Sequence, residues 1–77
     1  MNGMDHWFDI VRDSVDVNCA IGADAISDSS CAALAENAYN LRRHADWYAR
    51  RCYKAKAKAR IDLADRIDAL LAQRGAK

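Results

Sequence analysis

Arg43, Trp47, Arg50, Arg51, Lys54 and Lys58 fall at spacings of four, three, one, three and four residues. On a helix, those steps put all six side chains on one side. Cations set along a rod can contact phosphates or carboxylates, and an indole among them can anchor a protein interface or stack on a base. Between residues 42 and 60 there are eight Lys or Arg (Arg42, Arg43, Arg50, Arg51, Lys54, Lys56, Lys58, Arg60) against Asp46 alone. Two partner classes follow: a protein docked through Trp47, or nucleic acid or a small anionic nucleotide held by stretch 42–60. The formal net charge of +1 and an acidic N-terminal segment weigh against direct nucleic-acid binding. The leading expectation is a small non-enzymatic interaction protein that binds and modulates or inhibits another protein. Motif-free chains of this size are common among small bacterial and phage regulators.

Asp5, Asp9, Asp13 and Asp16 form a second charged group, interrupted only by Arg12. Such a face can mimic a nucleic-acid backbone, dock on a basic partner, or neutralise Arg42, Arg43 or Arg50 within the chain. The spacing of a calcium-binding loop is missing. Histidines occur only at 6 and 44, and the serines at 14, 27, 29 and 30 lie in no nucleophile motif. With three glycines there is no phosphate-cradling loop. Cys19, Cys31 and Cys52 are odd in number and lack the close pairing a zinc site needs, so they read as reduced, buried small hydrophobes. No catalytic residue, cofactor or metal is expected, and His44 reads as a surface residue.

These side chains must be carried on helices. The chain has 77 residues, 52% of them apolar and 30% charged, the balance of one soluble domain. No run approaches the ~18 apolar residues of a membrane span, and no secretory signal is visible at the start, so the expected location is cytoplasmic. Much of the apolar content is Ala, so the core is expected to be thin, which favours oligomerisation. The charge is strongly polarised. Residues 1–40 carry seven acids against Arg12, a net −6, and residues 41–77 carry eleven bases against four acids, a net +7.

A first helix is predicted over about 4–21, with Asp5 as cap and Gly22 as stop. Met4, Trp7, Phe8, Val11, Val15 and Cys19 share its apolar face, which Ile10, Val17 and Ile21 widen enough to contact two neighbours. A connector covers 22–29. Residues 30–74 hold no Gly or Pro and read as one long helix, kinked or broken, if anywhere, near 44–46. Cys31, Leu34, Ala38, Leu41, Ala45, Tyr48, Cys52, Ala55 and Ala59 trace a heptad-like seam that resumes, after one stutter, at Leu63, Ile67, Leu70 and Leu71.

Length then suggests an assembly. A helix of about 44 residues spans roughly 66 Å and the first helix roughly 26 Å. The expected fold is therefore all-α, a helical hairpin. Its uncovered seam (Cys52, Ala55, Ala59, Leu63, Ile67, Leu70, Leu71) packs as a coiled coil in a homodimer or higher homo-oligomeric bundle. A groove between subunits could then hold a small anion against Tyr39, Tyr53, Arg42, Lys56 and Arg60. The competing architecture is a three-helix monomer in which Asp46 caps the third helix.

Overall fold

The computed structural model describes residues 3–75. Three helices of nearly equal length follow one another: α1 Gly3–Ile21, α2 Asp28–Arg50 and α3 Lys54–Gly75, with a single 3-10 turn, Ala23–Ala25, between the first two. Their contacts run up, down, up. Arg42 meets Asp65 and Asp68 across the antiparallel α2–α3 pair, while Asp5 meets Arg60 and Asp16 meets Arg66 along the parallel α1–α3 pair.

Each boundary has a local cause. Gly22 ends α1 with φ +99° and ψ +142°, a conformation that side chains bearing a Cβ rarely adopt, and its N–H still donates to the Asn18 carbonyl at 3.1 Å. Ser27 caps α2, its hydroxyl oxygen accepting from the Ser30 N–H at 3.2 Å. At the far end of the bundle Arg74 clamps the connector. Its Nε donates to the Ile26 carbonyl at 3.0 Å and its Nη2 pairs with Asp28.

The expected long helix is overturned at residues 51–53. There α2 closes with a Schellman motif: the Tyr53 N–H donates to the Tyr48 carbonyl at 3.0 Å and the Cys52 N–H to the Ala49 carbonyl at 3.1 Å. Cys52 takes the left-handed conformation, φ +65°. The apolar contact that commonly accompanies this motif is present, as the Tyr53 and Tyr48 rings meet edge to face at 6.0 Å. The chain reverses at residue 52 without a Gly. Residues 44–46, the expected kink, lie inside α2, where Asp46 pairs with Arg50 at 3.0 Å rather than capping a helix.

The reversal also overturns the hairpin and the coiled coil, and removes the uncovered seam from which a homo-oligomeric bundle was expected. With three helices of similar length and a longest dimension of 41 Å, α1 covers the α2–α3 pair along most of its length. Leu63, Ile67 and Leu70, assigned to an inter-chain seam, are buried within the chain against Val11, Val15, Ile26, Leu34, Ala38 and Leu41. Leu71 is half-buried at the edge of the same core. Cys52 and Ala55 are exposed and Ala59 is half-buried, because the turn resets the helical phase and Ala57, Arg60, Leu63 and Ala64 face inward instead. Ala45, Tyr48 and Ala57 form a second small core toward the turn, with Met4 packed on it. Cys19 is exposed and Cys31 half-buried, so the cysteines are not uniformly core residues as expected.

The left-handed residue gives a direct test. Cys52→Gly relieves a backbone cost of about 1–2 kcal/mol and adds some chain entropy to the unfolded state, for an expected net gain of roughly 0.5–1 kcal/mol in urea unfolding. Cys52→Val is expected to shift the midpoint the opposite way.

Candidate interaction surface

The helix ends just described fix which cations remain available. Asp5, in the first turn of α1, sits beside the end of α2 and the start of α3. The Tyr48 hydroxyl donates to its Oδ1 at 3.0 Å, Arg60 Nη2 to the same oxygen at 2.7 Å, and Lys56 Nζ to Oδ2 at 2.9 Å. Arg60 is only 3% exposed. Its guanidinium lies between the Phe8 and Tyr48 rings, 4.5 and 4.4 Å from their centroids, and Nη1 donates to the Lys56 carbonyl at 3.1 Å. The hydrogen bonds from Lys56 and Tyr48 hold the Asp5 carboxyl below its ordinary range, and the same Asp5 contact raises Lys56.

Other acids engage further cations. Arg42 pairs with Asp65 and Asp68 at 3.0 and 2.7 Å, Arg50 with Asp46 at 3.0 Å, and Lys58 with Asp62 at 2.7 Å. On α1, Asp9 and Asp13 turn to Arg12, and Asp16 reaches Arg66. The acids of α1 thus meet Lys56, Arg60 and Arg66, not the Arg42, Arg43 or Arg50 expected from sequence. The supposed inter-subunit anion groove is also undone. Lys56 and Arg60 are tied to Asp5, and Tyr53 packs on Tyr48. Of the eight cations between 42 and 60, only Arg43, Arg51 and Lys54 have no carboxylate partner among the described residues.

Two of those three, Arg43 on the outer side of α2 and Arg51 at its C-terminal cap, belong to a row that sequence reading saw only in part. Tyr39, Arg43, Trp47 and Arg51 recur every four residues, alternating ring and cation. The Arg43 guanidinium lies 5.8 Å from the Tyr39 ring centroid, and that of Arg51 only 3.7 Å from the Trp47 centroid. Arg51 Nη1 also donates to the Trp47 carbonyl at 3.1 Å, which fixes the stack. Trp47 remains 39% exposed, although its ring meets Tyr48 edge-on at 5.1 Å. Tyr39, Arg42, Arg43, Asp46, Trp47, Arg50 and Arg51 together line an open hollow of about 590 Å³.

The structure therefore brings together four of the six expected partner-binding residues: Arg43, Trp47, Arg50 and Arg51. It separates the other two. Lys54 begins α3 beyond the turn, and Lys58 lies a turn further on, engaged by Asp62. Tyr39 belongs with the four, and its spacing of four residues before Arg43 was the available signal.

Sequence reading missed a neighbouring feature. Asn40, Arg43, His44 and Trp47 share the α2 face that looks toward Met4 and Trp7 of α1, and adjoining cavities of about 300 Å³ each open between them. His44 is half-buried, not a surface residue. Its ring meets the Trp7 ring edge to face at 4.9 Å, and its Nδ1 is buried without a hydrogen-bond partner. Burial, then the Arg60 and Arg43 charges, lower its pKa, which keeps the imidazole neutral at pH 7.

Among the described residues, no three His, Cys, Asp or Glu side chains gather where they could hold a metal ion, and no helix is long and apolar enough to cross a membrane. Comparison of the chain with protein-family models, with curated proteins and with solved structures finds no match.

The Asp5 contacts imply a particular acid response. A carboxyl whose folded pKa is depressed stabilises the fold above its unfolded pKa and loses that contribution as pH falls through the folded value. Stability is therefore expected to drop as pH falls below the ordinary Asp value of 3.8. Asp5→Asn, by contrast, should flatten this acid limb in thermal unfolding and lower Tm at pH 7. Asp16→Asn, which removes only an exposed pair with Arg66, is expected to lower Tm far less.

Proposed function

We propose that this chain is a non-enzymatic binding module that docks on an acidic face of another protein through Tyr39, Arg43, Trp47 and Arg51, and so modulates that protein. The observation that carries this reading is the Arg51–Trp47 stack at 3.7 Å on an exposed helix face. Aromatic and Arg side chains dominate binding hot spots, and a guanidinium already held against a ring loses little freedom when it meets a carboxylate. Arg43 and Arg51 have no carboxylate partner among the described residues, so they supply charge complementary to such a face.

The same details weigh against nucleic acid as the partner. A base stacked on the Trp47 face that Arg51 covers would have to displace that guanidinium. Arg42, Arg50, Lys56, Lys58 and Arg60 already face carboxylates, which removes most of the continuous cationic track that backbone phosphates need.

The test begins with co-purification from nuclease-treated extract, followed by affinity measurement on the recovered protein. Trp47→Ala is expected to weaken binding by at least about tenfold, the scale of a hot-spot loss, with Arg51→Ala and Arg43→Ala each costing less. Raising salt from about 50 to 200 mM should change affinity by less than about tenfold, whereas neutralising six or more phosphates would cost about a thousandfold. Equal affinity for wild type and Trp47→Ala would sink the proposal, and a thousandfold salt effect would replace the protein partner with nucleic acid.

A further inference from the structure

We infer that the cleft between α1 and α2 is a binding site for a monoanionic carboxylate carried next to an aromatic ring. Its polar lining comes from one helix face: Asn40, Arg43 and His44 at i, i+3 and i+4, with Trp47 at i+7. Met4 and Trp7 form the opposite wall. Among the described residues no acid lines either cavity, and Arg43 is the one full positive charge there beside neutral donors.

Each polar group there has unused capacity. No hydrogen bond engages the Asn40 amide among the described residues, and Arg43 has no carboxylate partner. Buried N–H groups without acceptors are rarer than buried acceptors without donors. The shielded, unpartnered Nδ1 of His44 therefore carries the lone pair, and the proton of the neutral ring sits on Nε2 as a further donor. A carboxylate bridging the Arg43 guanidinium, the Asn40 amide N–H and the His44 Nε2–H would meet donors alone, while the buried Nδ1 takes no part. One guanidinium with two neutral donors suits a single negative charge better than a dianionic phosphate. The Trp7 and Trp47 rings with Met4 supply the apolar walls, and about 300 Å³ per cavity holds a single-ring acid. The same chemistry is available from a free aryl acid or from adjacent aromatic and acidic side chains of a protein.

The cleft shares only Arg43 and Trp47 with the docking ridge. Asn40, His44 and Trp7 belong to the cleft alone, and Tyr39 and Arg51 to the ridge alone. The experiment is an NMR titration with phenylacetate, with phenylacetamide as the uncharged control. Phenylacetate is expected to shift the His44 ring, the Asn40 side-chain amide and both indole N–H signals. It should also raise the His44 pKa, because the bound anion offsets Arg43 and Arg60. Asn40→Asp, nearly isosteric, puts a carboxylate in the cleft and should weaken binding by at least about tenfold, while Gln73→Ala, exposed near the far end of α3, leaves it unchanged. A capped peptide with adjacent Phe and Asp separates the sources: binding of the peptide alone assigns a protein segment, and binding of phenylacetate alone assigns a free acid. Absence of any shift up to about 10 mM of either probe would overturn the inference. Equal response to phenylacetamide, or undiminished binding by Asn40→Asp, would do the same.

Discussion

The bundle depends on how one buried cation is paired, even though its Nε is buried without a hydrogen-bond partner among the described residues. Arg60 points into the interior between Phe8 and Tyr48, where a guanidinium without a counter-charge would be strongly unfavourable. Asp5 provides that charge from another helix, and Tyr48 donates to the same carboxylate oxygen. Three helices therefore meet at one hydrogen-bonded knot, and their relative register follows from it. An apolar contact tolerates sliding by a residue, but a carboxylate accepting from Tyr48, Lys56 and Arg60 does not. Tyr48 links the knot to the α2–α3 turn, because its carbonyl receives the Tyr53 N–H that closes α2.

The knot also explains what becomes of the charge polarity. The sequence divides into an acidic first part and a basic second part, and folding brings them together along α1 and α3. Further acids within the basic part, at 46, 62, 65 and 68, engage Arg50, Lys58 and Arg42. A stretch that looks uniformly cationic as a string is thus largely neutral as a surface. Positive charge persists where it is held against a ring, at Arg43 and Arg51, or at the exposed start of α3, at Lys54.

Helical character was legible in the sequence because Ala, Leu, Arg and Lys favour helices and no Pro intervenes. The buried positions of α2 were legible too, since Leu34, Ala38, Leu41, Ala45 and Tyr48 keep an unbroken 3–4 spacing. The α2–α3 turn was not. A Schellman ending is read mainly from Gly, and here Cys52 occupies that position and accepts the left-handed backbone. Missing the turn turned two helices into one, doubled the apparent seam and created the need for a second chain. Arg60 was equally opaque, because a cation in a basic run reads as solvated unless its distant carboxylate is known. Three of the four ridge residues, Arg43, Trp47 and Arg51, were visible from helical spacing alone. The cleft was not, because it needs Trp7 opposite His44, a contact between residues 37 positions apart.

The placement of α2 connects these features. Its inward face carries the Leu34-to-Tyr48 stripe against α3, and its flank at Asn40 and His44 is covered incompletely by α1. The remaining outer side carries Tyr39, Arg43, Trp47 and Arg51, a row that winds slowly round the helix because four residues slightly exceed one turn. Arg43 and Trp47 therefore stand at the border, lining both the open hollow and the α1–α2 cleft. The cleft and the ridge thus have one arginine and one indole in common.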